Sequence, residues 1–364
     1  MNALEAALHY PFDTASDETL PKAGSTIEVA PGVRWIRMAL PFALNHINLW
    51  LLRDEMEGQQ GWTVVDCCID RAESREQWHQ IFESELEGLP ILRVIVTHMH
   101  PDHIGLAHWL CERWSTPEHT CRLWISATDF NAARMACQVA AGHGGEVAAN
   151  FVQSHGMSNP DHLRQIRERT GYYAQMVPKV PGSYVRLMDG MLVQIGGKTW
   201  HCIAGYGHAP EHIALHCPEL NMLISGDMIL PRISTNVSVY DLEPEANSLA
   251  LFLESISKMK ALPQATLILP SHGKPFTGLH ERIHQLEQHH AERLSEVMTA
   301  CFEKPQTAHD IVAIMFKRAL DLHQLTFAQG EALAHLHMLW HQGDLVRKLI
   351  HGVYRFQTDR KSVV

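Results

Sequence analysis

Three histidines and one aspartate lie close together in residues 97–103, which read T-H-M-H-P-D-H. Neutral imidazole and carboxylate are ligands of zinc, iron and related divalent ions. His98 and His100 are two residues apart, so their side chains point the same way where the chain is extended. Asp102 and His103 follow a proline bend and can face the other side. The segment therefore predicts ligands for two adjacent metal ions.

Three later motifs each place one more candidate ligand after an apolar run. They read G-H-A-P at 207–210, S-G-D at 225–227 and S-H-G at 271–273. A single Gly-His or Gly-Asp pair is ordinary, and each motif taken alone is compatible with a structural role. In this order after H-x-H-x-D-H, however, the set resembles the signature of the metallo-β-lactamase superfamily. The resemblance covers about residues 25 to 295.

The resemblance implies an α/β fold, a four-layer αβ/βα sandwich, with two divalent metal ions. Zinc is the expected metal, and iron or manganese are alternatives because both accept a mixed His and Asp ligand set. One aspartate would bridge the ions. The implied ligands are His98, His100 and His208 for one ion, Asp102, His103 and His272 for the other, and Asp227 for both.

Asp66 ends a predicted strand at a place where the family often has an aspartate that supports the metal-binding loop. The family usually continues with a small residue and glycine, whereas this chain has Cys67 and Cys68. A supporting role and a plain strand-end role therefore both stay open for Asp66. The two cysteines are predicted to be core thiols.

A pair of metal ions about 3.5–4 Å apart can share one water and lower its pKa towards neutrality. The predicted function is hydrolysis by a metal-bridging hydroxide, with Asp102 or Asp227 orienting the nucleophile and handling its proton. The expected substrate is an ester, thioester or lactone of a small, partly apolar molecule, as in glyoxalase II-like and lactonase-like members.

Residues 228–240 follow Asp227 and are expected to run along the site entrance. Arg232 in this segment could hold an anionic group, or it could be a solvated loop charge. Tyr172 and Tyr173 belong to a helical insertion predicted at about 126–181, for which we expect two or three helices. Both tyrosines are candidate substrate contacts, with core packing as the alternative.

The elements that position these residues follow from apolar and β-branched runs or from helical spacing. Predicted helices cover residues 71–87, 246–260 and 279–301. The predicted strands lie at 27–38 around a Pro-Gly turn, and at 46–52, 62–66, 91–97, 184–187, 191–195, 199–203, 213–216, 222–225 and 267–269.

We predict a catalytic domain over residues 1–299 and a small domain over residues 300–364. The second has helices at 307–319 and 326–342 and strands at 345–349 and 353–356. This order of elements is similar to a winged helix, which some members of the family carry after the catalytic domain.

The composition excludes several classes of protein. The net charge is −10, so no overall basic field attracts nucleic acid or anionic lipid. We find no secretory signal and no apolar run of the ~18 residues that a membrane span needs. The eight cysteines form no CxxC pair. These features predict a cytoplasmic protein that acts on a small molecule, away from membranes, with reduced thiols.

Other activities remain open. The main alternative is a metal-dependent phosphodiesterase or endoribonuclease that uses the winged helix for nucleic-acid contact. From residue 296 onward the chain has eight Lys and Arg against seven Asp and Glu, whereas phosphate-tracking surfaces need clustered cations. The small domain could instead pack on the catalytic domain or form a homodimer. A β-lactamase, a single-iron sulfur dioxygenase and a non-catalytic binding protein are further alternatives, while His100 argues against a flavodiiron protein.

Overall fold

A computed structural model of the chain describes residues 3–12, 20–138 and 144–358. Its larger sheet has seven strands that follow one another in chain order, antiparallel from β1 to β4 and parallel from β4 to β7. The strands are β1 (Thr26–Ala30), β2 (Val33–Ala39), β3 (His46–Met56), β4 (Gln59–Val65), β5 (Ile91–Ile95), β6 (Arg122–Ser126) and β7 (Tyr184–Leu187).

The second sheet has five strands in the order β12-β11-β10-β9-β8, and only its β11–β12 pair is parallel. These strands are β8 (Leu192–Ile195), β9 (Lys198–Gly205), β10 (His212–Cys217), β11 (Met222–Gly226) and β12 (Leu267–Pro270). The two sheets pack face to face, with Trp35 and Trp50 of the first against Trp200 and Leu215 of the second. Complete burial of each such side chain stabilises the fold by about 2 kcal/mol.

Helices cover the outer faces of both sheets, which gives the four layers that were predicted. Trp78 of α2 packs with Val94 behind the first sheet, and Phe252 of α9 packs with Ile268 behind the second. The helices before the C-terminal region are α1 (Ala3–Ala6), α2 (Ala72–Ser84), α3 (Pro101–Ile104), α4 (Ala107–Trp114), α5 (Ala127–Ala136), α6 (Gly145–Ser154), α7 (Pro160–Glu168), α8 (Tyr172–Met176) and α9 (Ser248–Lys258).

The insertion between β6 and β7 has four helices in its described part, α5 to α8, where the sequence predicted two or three. Residues 139–143 of the predicted insertion lie outside the described residues. Helix α7 begins as expected, because Asn159 Oδ1 accepts a hydrogen bond from Asp161 N (2.9 Å) and Pro160 occupies the first turn. The additional helix, α8, is only five residues long, which is too short for sequence periodicity to show.

The C-terminal region has the predicted order of two helices and a hairpin. Its elements are α10 (Leu279–Glu303), α11 (Ala308–Met315), α12 (Leu322–Gln342), β13 (Leu345–Ile350) and β14 (Val353–Thr358). Helix α12 begins before residue 326 because Asp321 caps it, accepting a hydrogen bond from Gln324 N at 2.8 Å. Helix α10 runs through the predicted boundary at 299/300, and residues 359–364 lie outside the description.

One continuous apolar core joins the C-terminal region to the second sheet. Leu333 and Leu336 of α12 belong to the same buried cluster as Phe252 of α9 and Leu286 of α10. The C-terminal region is thus packed firmly on the helical layer of the sandwich. In the described ranges, no helix has the length and apolar character needed to cross a membrane. All eight cysteines are free thiols, and Cys67 and Cys68 are buried.

Candidate metal centre

The histidine-rich segment forms a tight loop at the end of β5. His98 is completely buried, and His100 lies at the N-cap of the short helix α3, with Pro101 in its first turn. Proline suits this position because its fixed φ is helical and its missing N–H would have no helical partner there. The turn of α3 separates Asp102 and His103 from His98 and His100, as the spacing predicted.

The first ligand group consists of His98, His100, His208 and Asp227. His98 Nε2 lies 2.9 Å from His100 Nδ1 and 3.2 Å from His208 Nε2. His208 Nε2 lies 3.3 Å from Asp227 Oδ2. All four donor atoms lie within 4.8 Å of one another. Three imidazoles and one carboxylate oxygen that converge in this way form a ligand set suited to a divalent ion.

The second group consists of Asp102, His103 and His272. Asp102 Oδ2 lies 3.4 Å from His272 Nε2 and 3.7 Å from His103 Nε2. Asp227 Oδ1 approaches the same two nitrogens, at 3.6 Å from His103 and 3.5 Å from His272. Asp227 therefore presents Oδ2 to the first group and Oδ1 to the second, which is the arrangement of a bridging carboxylate.

Two buried atoms support the fit to metal ions. Within the described part of the chain, His103 Nε2 and Asp227 Oδ1 have no hydrogen-bond partner. A buried polar atom without a partner costs about 1–3 kcal/mol. An ion bound at the ligand groups would provide the partner that these two atoms lack. The donor set and these unpaired atoms together fit two divalent ions.

The protonation states also suit metal binding. Burial lowers the pKa of His98 and His100 well below the ordinary value, and their histidine neighbours lower it further. These imidazoles are therefore neutral, as ligation requires. Burial opposes the charge on His272, but Asp227 and Asp102 still raise its pKa to about 10. The carboxylates thus favour positive charge at the second group, and a bound cation would supply it.

Asp66 lies directly behind the second group. Its Oδ2 is 2.7 Å from His103 Nδ1, and its Oδ1 accepts a hydrogen bond from Thr97 N at 2.8 Å. This contact fixes the His103 ring so that Nε2 points towards the ligand group. The backbone of Asp66 has a φ of +61°, a conformation that aspartate and asparagine adopt more readily than most residues. A supporting role for Asp66 stays a prediction, with this geometry in its favour.

Two other ligands are oriented by backbone carbonyl groups. His208 Nδ1 donates to Asn236 O and His272 Nδ1 donates to His46 O, both at 2.7 Å. Because Nδ1 of each ring makes this contact, Nε2 of each ring faces the ligand group. Sequence alone gave no signal for Asn236 or His46, because both contacts are made by main-chain oxygens.

Asp129 is an important residue that the sequence analysis missed. It is completely buried, and its carboxylate accepts hydrogen bonds from Met99 N (2.7 Å) and Glu211 N (2.6 Å). Burial raises its pKa to about 6. Asp129 ties the loop that carries His98 and His100 to the start of β10. A first-turn aspartate in α5 is the only local signal, and it indicates helix capping rather than this long-range contact.

His212 was also missed. Its Nε2 accepts a hydrogen bond from Asp227 N at 3.2 Å, which holds the backbone of the candidate bridging residue. Gly226 makes this approach possible, since a Cβ atom there would lie 2.0 Å from His212 Nε2, and its φ is +53°. The glycine of the S-G-D motif is therefore required for both its conformation and its size.

The three predicted substrate contacts lie in different surroundings. Tyr173 is buried and its hydroxyl donates to Met99 O, so it supports the loop that carries His98 and His100. Tyr172 is half-buried, with its ring 5.6 Å from that of His323. Arg232 is exposed and lines a cleft beside His272. The role of each as a substrate contact stays a prediction.

Helix α12 contacts the residue that orients His208, and it does so through the side chain of Glu331. Asn236, whose carbonyl holds His208, donates from its side chain to Glu331 Oε2 at 3.4 Å. Burial raises the pKa of Glu331 to about 7. Between pH 4.5 and 7 the folded chain therefore retains a proton that the unfolded chain has lost, so the stability contributed by Glu331 falls as pH rises.

We expect Glu331→Gln to be more stable than the parent by about 1–2 kcal/mol at pH 8, because it removes a poorly solvated charge. The advantage should shrink towards zero near pH 4.5. Denaturant unfolding of both proteins across this pH range measures the difference. Glu83→Gln, on the exposed side of α2, is the control. An advantage that stays constant with pH would show that Glu331 is not the titrating group.

Comparison with known proteins agrees with this geometry. The family described as the metallo-beta-lactamase superfamily matches residues 44–272, and the family described as the metallo-beta-lactamase-like C-terminal domain matches residues 294–359. The chain belongs to the metallo-β-lactamase superfamily, and it is a metallo-hydrolase of that fold.

Two relatives cover most of the chain, and a third matches a shorter part of it. A crystal structure of a beta-lactamase domain protein from Burkholderia ambifaria is 54% identical, with a TM-score of 0.91 over 98% of this chain and 100% of that one. The probable metallo-hydrolase YqjP of Bacillus subtilis (strain 168) is 23% identical over 84% of this chain and 91% of its own length. A hydroxyacylglutathione hydrolase of Hyphomonas neptunium is 30% identical, but over only 31% of this chain and 44% of its own.

Proposed function

We propose that this metallo-hydrolase cleaves an ester, thioester or lactone with two divalent ions, zinc in the first instance, held by the two ligand groups. The observation that carries the proposal is the position of the second group, since His272 lies in the wall of a cleft of about 700 Å³. A cleft of this volume suits a small molecule. Two bound ions would lower the pKa of a shared water and polarise the substrate oxygen.

The chain's own residues would orient and deprotonate the attacking water. Asp102 and Asp227 are ionised, because the charges of His103 and His272 lower the pKa of both carboxyl groups against the effect of burial, that of Asp102 to about 2. Asp102 is the more exposed of the two carboxylates. We assign it the orientation of the water and the transfer of its proton, and we assign Asp227 the bridging position.

The thioester and ester classes are supported by the local similarity to hydroxyacylglutathione hydrolase, which extends over 31% of this chain. The nucleic-acid alternative has less support. Arg347 of the C-terminal hairpin packs 3.9 Å over the Trp340 ring and pairs with Glu245, so its charge is already neutralised within the protein. Phosphate-tracking surfaces need cations that are available to the ligand.

We propose that residues 300–364 form a winged-helix domain whose role is structural. The order of α11, α12 and the hairpin supports this assignment, and so does the core that they share with the second sheet. Through the contact between Glu331 and Asn236, the domain is also connected to the carbonyl group that orients His208. Cytoplasmic location and homodimer formation stay predictions.

The proposed function is tested by metal analysis and a hydrolysis panel on one preparation purified without chelator. The panel contains an aryl ester, an acyl-thioester, a lactone, a bis-aryl phosphodiester and a β-lactam. We expect about two zinc ions per chain, and cleavage of the ester, thioester or lactone that stops when a chelator is added.

Other outcomes would change the assignment. Cleavage of the phosphodiester alone would replace the proposal with the nuclease alternative. One iron per chain without hydrolysis would favour the dioxygenase. Protein that contains no metal and binds none on reconstitution would contradict the two-ion centre itself.

A further inference from the structure

The cleft beside His272 is lined by residues of the first sheet, of loops and of the N-terminal segment. It is lined by Arg37, by three short stretches of chain and by two residues of the N-terminal segment. The lining comprises Arg37 on β2, residues 43–46, residues 231–233 and residues 272–274. Glu5 and Tyr10 complete the lining. His272 thus belongs both to the second ligand group and to the lining of this cleft.

Positive charge is concentrated in the cleft, although the chain as a whole carries a net charge of −10. The cleft is lined by the cations Arg37, Arg232 and Lys274 and by one carboxylate, that of Glu5. An excess of cations in a low-dielectric cleft attracts anions selectively.

Arg37 is held in a fixed position next to the metal centre. Its Nη1 donates to Gly273 O at 3.2 Å and lies 3.5 Å from Asn48 Oδ1. Burial lowers its pKa to about 10, so the guanidinium remains charged at neutral pH. A half-buried guanidinium that is fixed at one end loses little side-chain entropy when it binds a ligand.

Arg232 lines the same cleft from the loop that follows Asp227. It is exposed, and its neighbour Ile233 is 41% exposed. Pro231 and Leu44 add further apolar surface to the lining. The cleft thus combines apolar side chains with cations from separate segments of the chain, a surface that suits an apolar chain ending in an anion.

We propose that the substrate carries an anionic group, a carboxylate or a phosphate, which binds between Arg37 and Arg232 while the scissile bond lies at the metal centre. Lys274 also lines the cleft. This inference rests on the proposed hydrolytic function, because it identifies the substrate of the same site. It assigns Arg37 and Arg232 to recognition, not to bond cleavage.

Binding of uncleavable ethers tests the proposal independently of turnover. Three ethers share one apolar chain and end in a carboxylate, a phosphate monoester or a neutral hydroxyl group. Calorimetry on metal-loaded protein gives the affinity ratio of each anionic ether to the neutral one. We expect a ratio of at least about tenfold, and Arg232→Gln and Arg37→Gln should each lower it by about three- to tenfold.

Two further variants separate recognition from general effects. Arg37→Lys keeps the charge and should keep most of the ratio. Arg122→Gln, an exposed arginine on β6 outside the cleft lining, should leave it unchanged. The anionic ether with the higher affinity ratio, carboxylate or phosphate, identifies the anionic group. Matched anionic and neutral esters should show the same preference in kcat/KM.

The outcomes distinguish this inference from the proposed function. A ratio near one that neither arginine variant changes would overturn the inference, even if esters are hydrolysed. The same holds if Arg122→Gln lowers the ratio as much as Arg232→Gln. A high ratio that depends on both arginines, together with failure to hydrolyse any ester, thioester or lactone, would support the anion site and contradict the proposed reaction.

Discussion

Asp227→Ala is expected to lose metal from both ligand groups and to lower kcat/KM by about 10³-fold or more. The reason is that Asp227 presents one carboxylate oxygen to each group, so one substitution removes a ligand from both. Metal ions stabilise the transition state by several kcal/mol, and each 1.36 kcal/mol corresponds to a tenfold change in rate. Metal content by mass spectrometry, with turnover of the best panel substrate, measures both effects.

A control is needed because Asp227 is buried and its loss could unfold the chain. Asp227→Asn keeps the shape and one oxygen ligand, so it should retain the fold and show an intermediate loss of metal. Asp161→Ala, at an exposed position on α7, should retain two ions and full activity. Asp227→Ala with full metal content and normal turnover would disprove the bridging assignment.

Asp66→Asn is expected to weaken binding of the second ion by about 10–100-fold, the usual cost of removing a carboxylate that orients a metal-binding histidine. Asparagine tolerates the positive φ at this position and can still accept a hydrogen bond from Thr97 N, but it lacks the charge that fixes His103. Competition with a chromophoric chelator gives the two dissociation constants separately. The first ion, held by His98, His100 and His208, should be affected much less.

Asp70→Asn is the matched control for this measurement. Asp70 pairs with Arg75, which is exposed, so its loss should cost at most about 1 kcal/mol of stability and leave metal affinity unchanged. Equal weakening of both ions in Asp66→Asn, or no weakening of either, would contradict the supporting role of Asp66.

The sequence predicted most of the fold because its strands and helices are regular. The run at 184–187 coincides with β7, and helix α10 was predicted nearly to its end. Short elements were missed, such as the five-residue helix α8, since one turn shows no periodicity. The start of α12 was placed four residues late because the Asp321 cap was not recognised.

The candidate ligands could be found from the sequence because they come in short motifs with informative spacing. The residues that hold them could not. Asp129 and His212 act through contacts between segments far apart in the chain, and Asn236 acts through its carbonyl group. No local pattern encodes such contacts, and the same is true of the cationic cleft, whose arginines are 195 positions apart in the sequence (37 and 232).

Each of the two ligand groups contains residues that follow strands of both sheets. The segment 98–103 follows β5 of the first sheet, whereas His208, Asp227 and His272 follow β9, β11 and β12 of the second. Bound ions would therefore act as cross-links between the sheets. Each ion at a hundred times its dissociation constant adds about 2.7 kcal/mol to the free energy of unfolding. The folded protein would then be more stable when metal is available. A shortage of the ion would lower the amount of folded protein as well as its activity.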